Sequence, residues 1–292
     1  MDRGEPRSMT KLSEQRCVYL GLPAFNEELA IAPLFDRIRA ARLDLIETGL
    51  VSDLRVIFYN DGSTDKTADQ VRIQSEELDV VLLSPANNGG LGVAMRGLLN
   101  HFLDSAAEQD VLVVMDADDT HDPNQIGELL TSMDEYGQDV VVASRYRRGS
   151  IVAGVPPYRQ VLSLGFGGLV RVMLPVKGVR DYSCGYRAYT YSALCAVSEE
   201  SGFPLQESGF ASMPEVLVRL RGHGLTFGEI PLKLAYDRRL TVSKMRAWQN
   251  TRRLLSRIWS WRVFPNRLND KPFVGGETRS WWSVEHLTSD RP

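Results

Sequence analysis

Val111-Leu112-Val113-Val114-Met115-Asp116-Ala117-Asp118-Asp119-Thr120-His121-Asp122-Pro123 decides how this chain is read. Five apolar residues run straight into a knot of acids. A valine-rich run of that length is a strand buried on both faces, the kind found inside a parallel sheet. Asp116, Asp118, Asp119 and Asp122 then place four carboxylates within seven residues. Like charges so close repel one another, and beside a dry core that is costly unless a cation sits among them. Hard oxygen ligands at a strand end suit Mg²⁺ or Mn²⁺, with water and substrate phosphate filling the other positions. The alternative is a solvated acidic turn leading into a helix that starts near Pro123. Other stretches of the chain bear on the choice.

The bulk numbers exclude several classes. The chain has 292 residues, enough for one large α/β domain or two smaller ones. Hydrophobic residues make up 43% and charged residues 24%, as in an ordinary globular protein, and a net charge of -3 gives no reason to expect a nucleic-acid partner. Cys17, Cys184 and Cys195 are scattered and odd in number, with neither metal-ligand spacing nor a disulfide framework, which fits a reducing cytoplasmic compartment. Residues 1–16 are polar and charged, unlike a signal peptide, and read as a disordered leader. No stretch reaches the roughly 18–20 apolar residues that span a bilayer. Val161 to Val176 comes nearest, but it is short and contains Arg171 and several glycines.

Strand and helix signals alternate through the first half. Cys17–Leu22 reads as a strand, and Asn26 as the N-cap of a helix running to about Glu47. Leu54–Tyr59 is a second strand, ending in Asn60-Asp61-Gly62-Ser63-Thr64-Asp65, where Ser63 or Thr64 can cap the next helix. Val80–Leu83, the opening stretch and Val140–Ala143 supply three more strands. Such alternation predicts an α/β fold with right-handed crossovers, a mostly parallel Rossmann-like sheet and helices on both faces. Ligands bind such sheets at the carboxyl ends of the strands. The polar clusters Asn26–Glu28, Asn60–Asp65, Asn87–Gly92 and Asp116–Asp122 all follow strands, so they converge on one edge. Asn87-Asn88-Gly89-Gly90-Leu91-Gly92 lacks the Lys and Ser/Thr of a phosphate loop and reads better as a tight strand-to-helix turn.

The second half is less regular. Pro156–Leu174 reads as a helix, Asp181–Tyr189 as a turn and short strand, Met213–Gly222 as a helix and Leu225–Leu234 as extended. Cys184 reads as inert filler, and His101, His223 and His286 as surface residues. Residues 244–267 carry seven basic residues and no acid, interleaved with Trp248, Leu254, Ile258, Trp259 and Trp261. That segment suits an anionic membrane interface, or else packs on the domain's own surface. Residues 268–292 form a polar tail with a Trp281-Trp282 pair.

Six motifs occur in order: Pro23-Ala24-Phe25-Asn26-Glu27, Asn60 to Asp65, Asp116-Ala117-Asp118, Ser144-Arg145-Tyr146, Asp181 to Arg187, and Ser243-Lys244. Together they resemble a family 2 glycosyltransferase of the GT-A fold, nearest the dolichol-phosphate or polyprenol-phosphate mannosyl- and glucosyltransferase branch. The resemblance covers about residues 17–246, and 17–243 are taken as the glycosyltransferase domain.

The resemblance implies roles for individual residues. Asp118, with Asp116, is expected to hold Mg²⁺ or Mn²⁺ against the diphosphate of a nucleotide sugar. A cation there stabilises the leaving group as it gains negative charge. The family often has Gln where Thr120 stands, so Asp119 or His121 would have to complete the metal shell. Pro23, Phe25, Glu27, Asn60 and Asp61 match positions that hold the base and ribose. For Asp61, a turn acid bonded to the Ser63 backbone is the alternative. The family usually has Asp where Asn60 stands. An amide both donates and accepts, which suits uracil, so a UDP-hexose is favoured over a GDP-hexose. Arg145, Arg159 and Ser163 match positions that grip an acceptor phosphate, with a pair of ordinary surface arginines as the alternative. Asp181 and Arg187 are expected to pair beside the acceptor. Arg238 and Lys244 match a segment that closes over the donor, with Thr241 where the family usually has Gly.

Family members of this kind invert the anomeric carbon in one displacement. A hydroxyl acceptor needs a general base, whereas a phosphate is already ionised. No base motif is apparent; Glu207 and Glu215 are the acids available, and Glu215 reads as a helix-dipole partner. The sequence therefore points to transfer onto polyprenyl phosphate by an enzyme in the cytoplasm, peripheral on the inner membrane face. The rival is the same donor chemistry on a hydroxyl of a soluble acceptor. A nucleotidyltransferase would need a basic, Gly-rich first loop, where Pro23–Glu28 is acidic. A non-catalytic binder would not need Asp116, Asp118, Arg238 and Lys244 together.

Overall fold

Val18, Leu20 and Leu22 on one face of the first strand, and Tyr19 and Gly21 on the other, are all buried, because helices cover both sides of the sheet. The computed structural model describes residues 16–153, 165, 167–238, 259, 261 and 282–287. The leader over 1–15, the first half of the Pro156–Leu174 helix, and most of the basic segment and tail lie outside the described residues.

The chain alternates β1 (Cys17–Ala24), α1 (Glu28–Glu47), β2 (Asp53–Asn60), α2 (Thr67–Gln74), β3 (Asp79–Pro85), α3 (Leu91–Ser105), β4 (Val111–Val114), α4 (Gln125–Tyr136) and β5 (Val140–Ser144). After β6 (Ile151–Ala153) and helical residues at 167–173 come β7 (Arg187–Thr190), α5 (Tyr191–Cys195) and α6 (Ser212–Leu220). β8 (Phe227–Pro231), β9 (Lys233–Ala235), a 3₁₀ turn over Tyr236–Arg238 and β10 (Trp282–Leu287) complete the described chain. The main sheet has the order β10-β3-β2-β1-β4-β7-β5-β8, and β6 pairs with β9 in a small parallel sheet.

β1, β2, β3 and β4 pair in parallel, as do β5 and β8. β7 runs antiparallel between β4 and β5, and β10 lies antiparallel along β3. The sheet is thus mostly parallel, with two reversed strands that periodicity does not announce. β10 falls in the stretch read as a polar tail. Its residues alternate: Trp282 packs edge-on against Tyr59 at 6.2 Å, while Glu285 faces Arg72 at 3.0 Å. Six alternating residues in a polar context are a weak strand signal.

Two caps differ from expectation. Glu27, not Asn26, stands at the N-cap of α1 and makes no side-chain cap bond. Asn26 has φ +56°, in the left-handed region that Asn tolerates, and its side chain reaches the Thr64 loop instead. At α2, Asp65 accepts the Thr67 N–H at 3.0 Å, so neither Ser63 nor Thr64 is the cap.

α3 lies against β2 through a glycine: a Cβ on Gly97 would overlap the ring of Tyr59, which is fully buried and cannot swing away. Gly97→Ala is expected to lower unfolding stability by about 1–3 kcal/mol through overpacking, read from the midpoint of urea unfolding with an unchanged slope.

Candidate active site

The carboxyl ends of β1, β2 and β3 are stitched into one surface by side chains. The Ser63 hydroxyl accepts the Asn26 N–H at 2.9 Å, and Asn26 Oδ1 accepts the Thr64 N–H at 2.7 Å. The Thr67 hydroxyl accepts the N–H of the buried Glu27 at 2.8 Å. Asn60 is buried and its Oδ1 accepts the Ser63 N–H at 3.2 Å. Pro23 and Phe25 are half-buried at the same edge.

Asp61 is not the turn acid of the alternative reading, because the Ser63 N–H goes to Asn60 instead. Its two carboxylate oxygens accept the N–H groups of Gly89 and Gly90 at 2.8 and 2.9 Å, and Asn88 Nδ2 donates to its carbonyl at 3.0 Å. Burial pushes the Asp61 carboxyl up, and those two N–H bonds oppose the rise. The Asn87–Gly92 turn is therefore held by an acid from the neighbouring strand. Gly92 donates to the Ser208 carbonyl at 2.8 Å, and a Cβ there would run into the Glu207 carbonyl, so glycine lets the start of α3 meet the 207–208 loop.

The acid motif sits at the end of β4. Asp116 is exposed, and its carboxylate lies against Gly185, whose Cβ would stand 3.2 Å from Asp116 Oδ1. Asp118 is buried, and Thr120 donates to Asp118 Oδ1 from its hydroxyl at 2.7 Å and from its N–H at 3.2 Å. Asp119 has φ +67° and forms an ion pair with Arg37 of α1, which also donates to the Asp119 carbonyl at 3.1 Å. His121 Nδ1 accepts the Asp116 N–H at 3.2 Å, and its ring packs 5.1 Å from Tyr186. Thr120, Asp119 and His121 were the candidates for a third metal ligand. In these contacts all three hold the loop itself.

The far side of the loop is tied to β9. Ala235 donates to the Thr120 carbonyl at 3.0 Å, and His121 bridges Leu234. Arg238, three residues past Ala235, is exposed and close enough for its charge to act on Arg37. Arg238 thus follows directly on the strand that is tied to the acid loop. Arg159, Ser163 and Lys244 lie outside the described residues.

A second charged group flanks the site. Asp181 is fully buried and accepts Arg145 Nε and Nη2 at 2.8 and 2.7 Å, the Arg145 N–H at 3.1 Å and the Cys184 N–H at 3.0 Å. Glu229 in turn accepts the N–H groups of Arg180 and Asp181 at 2.6 and 2.8 Å. The expected Asp181–Arg187 pair is thus corrected to Asp181–Arg145. Arg187 is fully buried in the central strand β7, and its guanidinium donates to the carbonyls of Met213 and Tyr182 at 2.7 and 2.8 Å. An arginine enclosed that way braces the β7–α6 packing and is closed to an acceptor. Cys184 agrees with its reading as filler: burial and the neighbouring Asp181 push its thiol up to about 12.

Among the described residues, no three His, Cys, Asp or Glu side chains stand as a ready metal cage. The donor chemistry still fits Mg²⁺ or Mn²⁺: a hydroxyl orients the buried Asp118 at the strand end, and Asp116 follows two residues earlier. These cations take one or two carboxylates and fill the other positions with water and substrate phosphate. Arg37 was missed by sequence reading. It is one of several basic residues on α1, 82 positions from its partner, and carries no local signal.

Known proteins resemble this chain in sequence and in fold. The profile of "Glycosyl transferase family 2" matches residues 19–195, more than half of the chain. Polyprenol monophosphomannose synthase of Mycolicibacterium smegmatis is 27% identical over 83% of this chain and 85% of its own length. UDP-N-acetylglucosamine–dolichyl-phosphate N-acetylglucosaminyltransferase of Methanococcus voltae is 26% identical over 76% of this chain and 86% of its own. Glucosyl-3-phosphoglycerate synthase of Mycobacterium tuberculosis, solved with Mn²⁺, UDP and glucosyl-3-phosphoglycerate, superposes with a TM-score of 0.58 at 18% identity, over 98% of this chain and 93% of that one. The last likeness speaks to the fold, and the α/β GT-A expectation holds.

Burial alone would raise the Asp181 carboxyl, but Arg145 and the surrounding N–H groups outweigh it and hold the group below the usual range. A depressed folded-state value stabilises the protein above the unfolded carboxylate value of about 3.9 and is lost as pH falls through the folded value. Asp181→Asn leaves Arg145 unpaired and is expected to cost about 3–5 kcal/mol at neutral pH. In denaturant titrations the gap between the two proteins should be full above pH about 4 and narrow below it.

Proposed function

The chain belongs to glycosyl transferase family 2 and is a glycosyltransferase, and from that premise we propose that it moves a hexose from a nucleoside-diphosphate sugar to the phosphate of a polyprenyl lipid. The phosphate oxygen attacks the anomeric carbon as the carbon–oxygen bond to the diphosphate breaks, so configuration inverts and the nucleoside diphosphate departs. The names of the two relatives, which carry polyprenol and dolichyl phosphate, support this acceptor class.

The observation that carries the acceptor reading is the state of Glu215. It is fully buried and accepts the N–H groups of Gln206 and Glu207, both at 2.9 Å, and Arg219 Nε at 2.8 Å. A carboxylate tied this way is a brace, not a general base poised over a hydroxyl. A phosphate acceptor needs none.

The chain's own residues divide the work. Thr120 orients Asp118, and Asp181 fixes Arg145 as a cation on the acceptor side. Arg238 and Lys244 balance the charge of the donor diphosphate, Arg159 and Ser163 hold the acceptor phosphate, and Pro23, Phe25, Glu27, Asn60 and Asp61 frame the nucleoside. Mg²⁺ or Mn²⁺ on Asp118 and Asp116 would supply Lewis-acid stabilisation of the departing diphosphate. With Asn60 Oδ1 accepting the Ser63 N–H, its Nδ2 carries donors toward a base carbonyl, which favours uracil over the N–H edge of guanine. No helix among the described residues is long and apolar enough to cross a membrane, and the basic, Trp-bearing residues 244–267 are assigned to peripheral contact with the lipid surface.

Incubation with Mn²⁺ and UDP-, GDP- and dTDP-hexoses, with and without polyprenyl phosphate, tests the reading by nucleotide release. Lipid-dependent release, largest with a UDP-hexose, is expected. Release indifferent to the lipid would move the acceptor to a soluble hydroxyl. Asp118→Ala should lower turnover by about 10²–10³-fold or more, and retained turnover would remove the role given to Asp118.

A further inference from the structure

The acid loop is gripped from two sides, and only one grip belongs to the motif-bearing strands. β9 holds Thr120 and His121 through the backbone. On the other side a single side chain, Arg37 of α1, takes both the carboxylate and the carbonyl of Asp119. Asp119 is buried and left-handed at φ +67°, a conformation uncommon outside glycine that Asp tolerates better than most side chains, and here Arg37 holds it by both the carboxylate and the carbonyl. That residue lies between Asp118 and Thr120, so its backbone angle decides whether the Thr120 hydroxyl can reach Asp118 Oδ1 at 2.7 Å.

We propose that Arg37 is a positioning residue of the donor site: by holding Asp119 it fixes the left-handed turn that lets Thr120 aim Asp118, and it keeps the Asp119 carboxylate out of the divalent-cation site. The inference rests on the reading of Asp118 as the metal-bearing acid. Charge explains why an arginine is needed. Asp116, Asp118 and Asp122 lie within three residues of Asp119, and a fourth unpaired carboxylate would either repel them or compete with Asp118 for the cation. Guanidinium Nη2 meets both the carboxylate and the carbonyl of Asp119, and arginine's planar, always charged, weakly hydrated head suits such a half-buried pair better than the strongly hydrated ammonium of a lysine.

The same pairing governs Arg238. Arg37 is drawn below the ordinary arginine range by burial first and by the nearby Arg238 charge second. With Asp119 already occupied by Arg37, Arg238 meets a like charge on that side of the loop. It is left for the phosphates of the donor rather than for an internal ion pair.

Mn²⁺ binding to the full-length protein, measured by calorimetry with UDP present, tests the proposal without relying on turnover. Arg37→Met should weaken Mn²⁺ binding by about 10–100-fold while circular dichroism stays native. Arg37→Lys should recover part of the loss. The double variant Arg37→Met with Asp119→Asn should return to within about threefold of the unaltered protein, because Asn tolerates the left-handed turn and carries no charge. Mn²⁺ affinity within twofold of the unaltered protein in folded Arg37→Met would overturn the proposal. So would a double variant as weak as Arg37→Met alone. Should Arg37→Met fail to fold, the double variant decides by the same threefold limit. An unaltered protein that binds no Mn²⁺ with UDP would instead overturn the reading of the site itself, and this inference with it.

Discussion

Four carboxylates crowd the end of one buried strand, and much of the molecule's architecture is an answer to that crowding. Two unit charges about 4 Å apart interact by about 4 kcal/mol at an effective dielectric near 20, so such a cluster cannot be left to itself beside a core. Asp119 is given to Arg37, and Asp118 to the hydroxyl and N–H of Thr120. Asp122 is turned outward, where it accepts the N–H and the side-chain amide of Asn124. Two of these solutions are local contacts within the loop between β4 and α4, and only Arg37 reaches in from another element, so the geometry of the cluster depends on α1 staying in register with that loop.

A second buried charge organises the segment beside the acid loop by the same logic. Asp181 has no exposed surface, yet it is ionised in company: a guanidinium from the end of β5 and backbone N–H groups from its own turn surround it. Behind it Glu229 holds the backbone that carries Asp181. The chain of contacts runs Glu229, Asp181, Arg145, from β8 through the 181–184 turn to β5. Both parts of the site are thus built by charges that reach across non-adjacent segments, which makes the site a property of the assembled sheet.

That long reach also marks what the amino-acid sequence could disclose. Val-rich strands running into polar clusters are local signals, and β1 to β5 follow them within a residue or two. The convergence of those clusters on one edge follows from the alternation of strand and helix. Partners are another matter. Asp181 and Arg187 are near in sequence and of opposite charge, but Asp181 takes Arg145, 36 positions away, because Arg187 is enclosed in a reversed central strand. Asn26 has the residue type of a helix cap, yet its left-handed backbone sends the side chain to the neighbouring loop. β7 and β10 have four and six residues, too few for a period to stand out, and their antiparallel course is set by where they pair, β7 between β4 and β5 and β10 along the edge strand β3.

The acid loop and the cationic arm beyond it are parts of one mechanical unit. Ala235 donates to Thr120, and Tyr236–Arg238 follows directly. A displacement of the Asp118 turn is therefore passed along two residues of backbone into the segment that bears Arg238. Two backbone contacts, the Ala235 N–H to the Thr120 carbonyl and the His121–Leu234 bridge, join the Asp118 turn to the segment that bears Arg238, and Arg37 of α1 holds the same turn from its other side.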